Sequence, residues 1–358
     1  MQKLILIAAA VLVLMSCAPA KETKETNEAG KPAVDNAGIP VTVGTTYSIP
    51  SSVYGTDRRI SVKLPIQYAK AKDEKFPVLY LIDGGPEQDF PHIAGMLQSV
   101  DINWTLAPVI LVGVETVNRR FEVSPPSDDP RYEEAMGSKV GGSQELRDFI
   151  RKDVMPWVES EYRVSDDRMV LGESLAGLWI VETLLKEPDM FTKYAAISPS
   201  LWWENMDVAK SSKAVFADFP AGERQLYLTM ANEGWNMRKG LDILIENLEQ
   251  GAPDGLKWSY VDRRGSEHHG SIYHPAALDA LRVFYPRAGR TGQSTKAFYL
   301  FDDGVSPPLS DMAKKDLEIE CTNETARQTT FSEVAKNHIE WNGLCVNMKL
   351  GAVPTKGN

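Results

Sequence analysis

Between residues 58 and 285, short apolar runs alternate with helix-length amphipathic segments, and this alternation narrows the possible folds more than any other feature of the chain. The run Pro77-Val78-Leu79-Tyr80-Leu81-Ile82 shows no polar alternation, as expected of a strand buried on both faces. β-like runs are read at 58–64, 76–82, 109–114, 168–172, 194–198, 225–231 and 257–261, with helical spacing of apolar residues at 143–162, 175–186, 238–250 and 276–285. Such alternation predicts an α/β fold, a mostly parallel central sheet flanked by helices and joined by right-handed crossovers. Residues 115–142 break the rhythm with Pro125-Pro126, Asp128-Asp129-Pro130 and Gly141-Gly142. They are expected to form a long loop, either a lid or an exposed excursion.

With 358 residues, 43% of them hydrophobic, the chain can bury one large domain and carry an appendage. The expected organisation is a signal segment at 1–17, a flexible tether at 18–40, the α/β domain at 41–289 and a small β-containing C-terminal appendage at 290–358. Within the appendage, β-like pieces are read at 296–301, 317–321 and 344–350. A formal charge of -10 without a basic cluster argues against a phosphate-backbone partner, so no nucleic acid is expected. The apolar run from Leu4 to Met15 is too short to span a bilayer and suits an export signal. Leu14-Met15-Ser16-Cys17 resembles a bacterial lipobox, in which the cysteine is lipidated, and Ala18 after it is similar to signals for the outer membrane. The expectation is export with lipid on Cys17 as the sole membrane attachment; a soluble periplasmic protein is the alternative. Export would place Cys321 and Cys345 in an oxidising compartment, where they are expected to form a disulfide. No Cys or His pair sits at ligand spacing, so neither a metal nor another cofactor is expected.

Chemistry concentrates at Val170-Leu171-Gly172-Glu173-Ser174-Leu175-Ala176-Gly177, where a strand passes into a helix through a turn read as Gly-x-Ser-x-Gly, with Ala176 at the last position and Gly177 after it. Small residues flank the serine because the turn is tight and strained, and it lifts the hydroxyl above the sheet. Ser174 is the candidate nucleophile, and it needs a base later in the chain. Of the five histidines, His92 precedes the serine and His338 lies in the tail. His274 reads as the start of the closing helix, which leaves His268 and His269 in the loop after the last strand. The orienting acid should follow a strand between serine and histidine; Glu233 fits best, with Asp242 and Asp262 as alternatives. The amide of Leu175 and that of Gly85, in Asp83-Gly84-Gly85 after a strand, are the candidate oxyanion donors.

Over residues 41–287 these features resemble the putative-esterase family of α/β-hydrolases, which includes enterochelin (siderophore) esterases, feruloyl esterases and esterase D. The matching pieces are Leu79 to Gly85, Val112-Gly113-Val114 with Asn118-Arg119, Gly172 to Leu178, Ser198-Pro199-Ser200-Leu201-Trp202-Trp203 and His269-Gly270-Ser271-Ile272. The resemblance implies the α/β-hydrolase fold, favours His269 over His268, and places Arg119 in a substrate-facing loop. Trp202 and Trp203 are then expected near the pocket, one lining it and one in the core. The chain departs from the family at Arg120-Phe121-Glu122, where a second Arg-Asp pair is common. The implied activity is serine-dependent hydrolysis of a small-molecule carboxylic ester through an acyl-enzyme. Acyl transfer at the same site and a catalytically silent siderophore- or glycan-binding lipoprotein are the alternatives.

Overall fold

The computed structural model describes residues 39–103 and 105–286, with the backbone of two short strands at 339–342 and 347–350. By contacts the chain divides into Met1–Val41 and Thr42–Asn358, and every element below belongs to the second unit. Cys17, Cys321 and Cys345 lie outside the described residues, as do the expected boundary at 289/290 and the β-like pieces at 296–301 and 317–321.

Eight strands form one sheet: β1 (Thr45–Pro50), β2 (Asp57–Lys63), β3 (Phe76–Ile82), β4 (Ile110–Val114), β5 (Val164–Glu173), β6 (Lys193–Ile197), β7 (Arg224–Met230) and β8 (Leu256–Asp262). Their order is β1-β2-β4-β3-β5-β6-β7-β8. β2 runs antiparallel to both β1 and β4, and the remaining neighbours are parallel. Side chains alternate across the pleat, so β3 sends Val78, Tyr80 and Ile82 into one core and Leu79 and Leu81 into the other. All five are no more than 1% exposed, which is why the run carries no polar alternation. One core is closed by α1 (Phe90–Asn103) and α9 (Tyr273–Phe284). The other is closed by α4 (Ser143–Phe149), a π-helical turn (Ile150–Val154), α5 (Met155–Glu161), α6 (Leu175–Lys186), α7 (Trp203–Ala217) and α8 (Trp235–Gly251). The fold is the α/β-hydrolase fold, with a mostly parallel sheet between helices.

Several elements depart from the sequence reading. The segment 115–142 is not one structureless loop: it contains α2 (Arg119–Glu122) and α3 (Pro130–Met136). The Asp129 side chain accepts from the Arg131 amide, Pro130 opens α3 and Gly137 closes it in the left-handed region, so local capping sustains a short helix that meets the core only through the half-buried Tyr132 and Met136. β1 escapes pattern reading because only Ile49 of its six residues is buried. The 143–162 segment is one helical course interrupted by the π turn. In the tail, β9 (Ile339–Asn342) pairs antiparallel with β10 (Asn347–Leu350), and the first of these was not read from sequence.

The chain leaves β3 for β4 on one side and later returns to β5 on the other. The loops at the carboxyl ends of β3 and β5 therefore diverge, which opens a crevice at the switch point of the sheet. The β3 loop lies flat on β4 through a glycine pair: a Cβ on Gly113 would sit 2.2 Å from the Gly84 carbonyl oxygen and 2.7 Å from the Phe90 ring. Backbone cannot yield there as a flexible side chain would, so Gly113→Ala is expected to destabilise the fold by about 2–3 kcal/mol. Urea unfolding checks this, and a change below about 0.5 kcal/mol would contradict the close approach.

Candidate active site

Ser174 joins β5 to α6 at φ 61° and ψ -117°, a conformation that non-glycine residues rarely adopt. Its amide donates to the Ile197 carbonyl and its carbonyl accepts from the Ser200 amide, both at 3.0 Å. The flanking glycines admit the turn sterically. A Cβ on Gly172 would lie 2.8 Å from the Ala176 Cβ, and one on Gly177 would lie 3.0 Å from both Ile197 O and Pro199 Cα. The hydroxyl therefore stands at the carboxyl end of β5, in the crevice, half-buried.

The structure brings three of the expected side chains together. His269 Nε2 lies 3.2 Å from Ser174 Oγ, and His269 Nδ1 lies 2.8 Å from Glu233 Oε1. Glu233 follows β7 and its side chain is 6% exposed, whereas that of His269 is 46% exposed. A carboxylate only accepts, so Nδ1 carries the proton and Nε2 offers its lone pair to the Ser174 hydroxyl. The two loops are joined by the Asn232 amide, which donates to the Glu267 carbonyl at 2.9 Å. The histidine loop is braced internally: Ser271 Oγ donates to Glu267 Oε2, and the His268 amide donates to Ser271 Oγ.

The other candidates go elsewhere. Asp242 pairs with Arg238 and Asp262 with Arg264. The exposed His268 side chain makes no contact with Ser174, and His274 Nδ1 is 2.6 Å from His92 Nε2, bridging α9 to α1. Leu175 is the first residue of α6, so its amide has no intrahelical acceptor and points out of the helix start. The Gly85 amide, expected as the second oxyanion donor, is instead bonded to Gln88 Oε1 at 2.9 Å. Gln88 is held in place by its own Nε2 donating to the Thr116 carbonyl at 2.8 Å. A buried donor takes the nearest acceptor, so an oxyanion at Gly85 has to replace that side-chain oxygen. Arg119 donates through Nε to Asp83 at 2.7 Å and through Nη2 to the Glu173 carbonyl at 3.4 Å, tying the β3 loop to the serine turn while its side chain stays 39% exposed. Trp203 is core at 1% exposure, whereas Trp202 is half-buried with its ring parallel to Tyr132 of α3.

Sequence reading passed over two neighbours of Ser174. Ser200 Oγ is 3.3 Å from Ser174 Oγ, and the Ser-Pro-Ser segment containing it carries the family resemblance without assigning Ser200 a role. Glu173, the variable residue of the motif, has a buried Oε1 without a hydrogen-bond partner among the described residues. Burial pushes its carboxyl up to about 7; nearby Asp89 and Glu233 add to the rise while His269 and Arg119 oppose it. Asp89 is likewise raised, to about 6, by burial and then by Asp83. No group of side chains suited to holding a metal ion occurs among the described residues.

A family model described as "Putative esterase" matches residues 51–248. A Bacillus subtilis (strain 168) protein described as uncharacterized protein YbbA is 32% identical over 243 residues, spanning 64% of this chain and 93% of that protein. The ferri-bacillibactin esterase BesA of the same organism is 28% identical over 226 residues, spanning 58% of this chain and 78% of the relative. Among solved structures, an IroE-like serine hydrolase from Shewanella oneidensis superposes with a TM-score of 0.60 at 25% identity, covering 67% of this chain and 80% of its own.

The raised Glu173 carboxyl links stability to pH. The folded protein keeps this proton to about pH 7, whereas the unfolded chain releases it near 4.5, so the folded state binds more protons between these values. Stability therefore falls as pH rises through that window. Glu173→Gln removes this loss: its melting temperature relative to wild type should rise between pH 5 and pH 8, and parallel thermal profiles would contradict the assignment.

Proposed function

The chain belongs to the putative-esterase family, and we propose that it is a serine-dependent carboxylic ester hydrolase that works through an acyl-enzyme on Ser174. The observation carrying this reading is the continuous hydrogen-bond chain from Ser174 through His269 to Glu233, standing in the crevice of the sheet. In the first half-reaction Nε2 takes the Ser174 proton as Oγ bonds to the substrate carbonyl carbon, and Glu233 steadies the imidazolium through Nδ1–H. Charge on the carbonyl oxygen is met by the Leu175 amide, and by the Gly85 amide once Gln88 Oε1 is displaced. The tetrahedral species then expels the alcohol, which takes the proton from Nε2. Water repeats the sequence on the acyl-enzyme and frees Ser174.

Support for a siderophore-like ester, with aromatic and anionic groups, comes from the names of relatives such as the ferri-bacillibactin esterase. The half-buried Trp202 and Tyr132 rings and the partly exposed Arg119 charge suit that chemistry. Export with lipid on Cys17, and a Cys321–Cys345 disulfide, belong to this reading on the strength of the sequence.

Hydrolysis of p-nitrophenyl esters and of a tricatecholate trilactone tests the reading. Ser174→Ala should lower kcat by about 10⁴-fold or more, and Glu233→Gln by about 10²- to 10⁴-fold. Unchanged turnover in Ser174→Ala would overturn it. Product analysis with added alcohol separates hydrolysis from acyl transfer, with free acid expected to dominate.

A further inference from the structure

We propose that Ser200 is a further catalytic residue, whose hydroxyl donates to Ser174 Oγ and stabilises the charge that builds there as His269 removes the proton. The inference rests on Ser174 being the nucleophile. Ser200 is 2% exposed, and among the described residues its hydroxyl has no hydrogen-bond partner besides Ser174 Oγ, 3.3 Å away. Two backbone bonds fix this juxtaposition, from the Ser174 amide to Ile197 O and from the Ser200 amide to Ser174 O. The connecting turn is itself strained: Ser198 has φ 40° and is held by its amide donating to Thr229 O at 2.9 Å. A non-glycine residue in this region costs about 1–3 kcal/mol, so the turn is kept by the structure around it.

Counting protons sets the direction of the contact. Glu233 accepts from Nδ1 and Nε2 accepts from Ser174, which leaves the Ser174 oxygen lone pairs to accept from Ser200. As the Ser174 proton moves to Nε2, Oγ becomes alkoxide-like and the bond from Ser200 strengthens. Once the Oγ–carbonyl bond has formed, the charge lies on the carbonyl oxygen and Oγ is a weak ester acceptor. The same donor acts again in deacylation, when Oγ departs and its charge returns. Ser200 keeps its own proton throughout and forms no covalent bond.

The test compares full-length wild type, Ser200→Ala, Ser200→Cys and Ser174→Ala for the rate of fluorophosphonate labelling and for kcat and KM on p-nitrophenyl acetate. Ser200→Ala should label about 10- to 100-fold more slowly, with kcat lowered by a similar factor, KM within about twofold and an unchanged melting temperature. Ser200→Cys, a weaker donor, should fall between, and it decides the matter if the alanine variant fails to fold. Labelling of Ser200→Ala at the wild-type rate, or a rise in KM with kcat intact, overturns the proposal while leaving Ser174 as nucleophile. Absence of labelling in folded wild type overturns the nucleophile reading, and this one with it.

Discussion

The Ser174 turn survives in the left-handed region, at φ 61°, because neighbouring backbone holds it from both sides. That conformation costs a side-chain-bearing residue about 1–2 kcal/mol. The compensation comes from β6, whose last carbonyl accepts the Ser174 amide, and from the following turn, whose Ser200 amide donates to the Ser174 carbonyl. Gly177 allows α6 to pack closely on that turn, where a Cβ would lie 3.0 Å from Ile197 O and Pro199 Cα. The Leu175 amide proposed as oxyanion donor, the line from Oγ to His269 and the Ser200 contact all take their positions from this one clamp.

What the sequence made legible divides along physical lines. Strands buried on both faces announce themselves as unbroken apolar runs, and their alternation with helices carried the fold class. Position along a parallel sheet also restricts chemistry, since loops at the carboxyl ends of strands share one crevice; Ser174, Glu233 and His269 were placed by chain order within that scheme. Chain order favours Glu233, directly after a strand, without excluding Asp262 at the end of the last strand or Asp242 a few residues on in α8. The structure separates them through partners: Arg238 and Arg264 engage the other two. β1 and α3 were missed because they bury almost nothing, so no hydrophobic period marks them. The Gln88 contact to the Gly85 amide depends on the shape of a turn that residue types alone do not specify.

Electrostatics around the serine turn follow from the same crowding of strand ends. Asp83 pairs with Arg119, and burial raises the neighbouring carboxyls of Asp89, to about 6, and Glu173, to about 7. Asp83 takes the Arg119 guanidinium and the Thr116 hydroxyl. At neutral pH Glu173 is close to half-protonated and carries only part of a charge near His269, whose Nδ1 is bonded to Glu233. Glu173 is thus coupled electrostatically to both His269 and Glu233.

The central claim is that ester cleavage passes through a covalent bond to Ser174. Rapid quenching of the protein with a slowly deacylating ester, followed by peptide mass spectrometry, addresses it without knowledge of the natural substrate. The account predicts an acyl adduct within the first turnover, confined to the peptide bearing Ser174 and lost as product appears. Steady turnover with no adduct, or an adduct on another residue that forms and decays at the turnover rate, would contradict it.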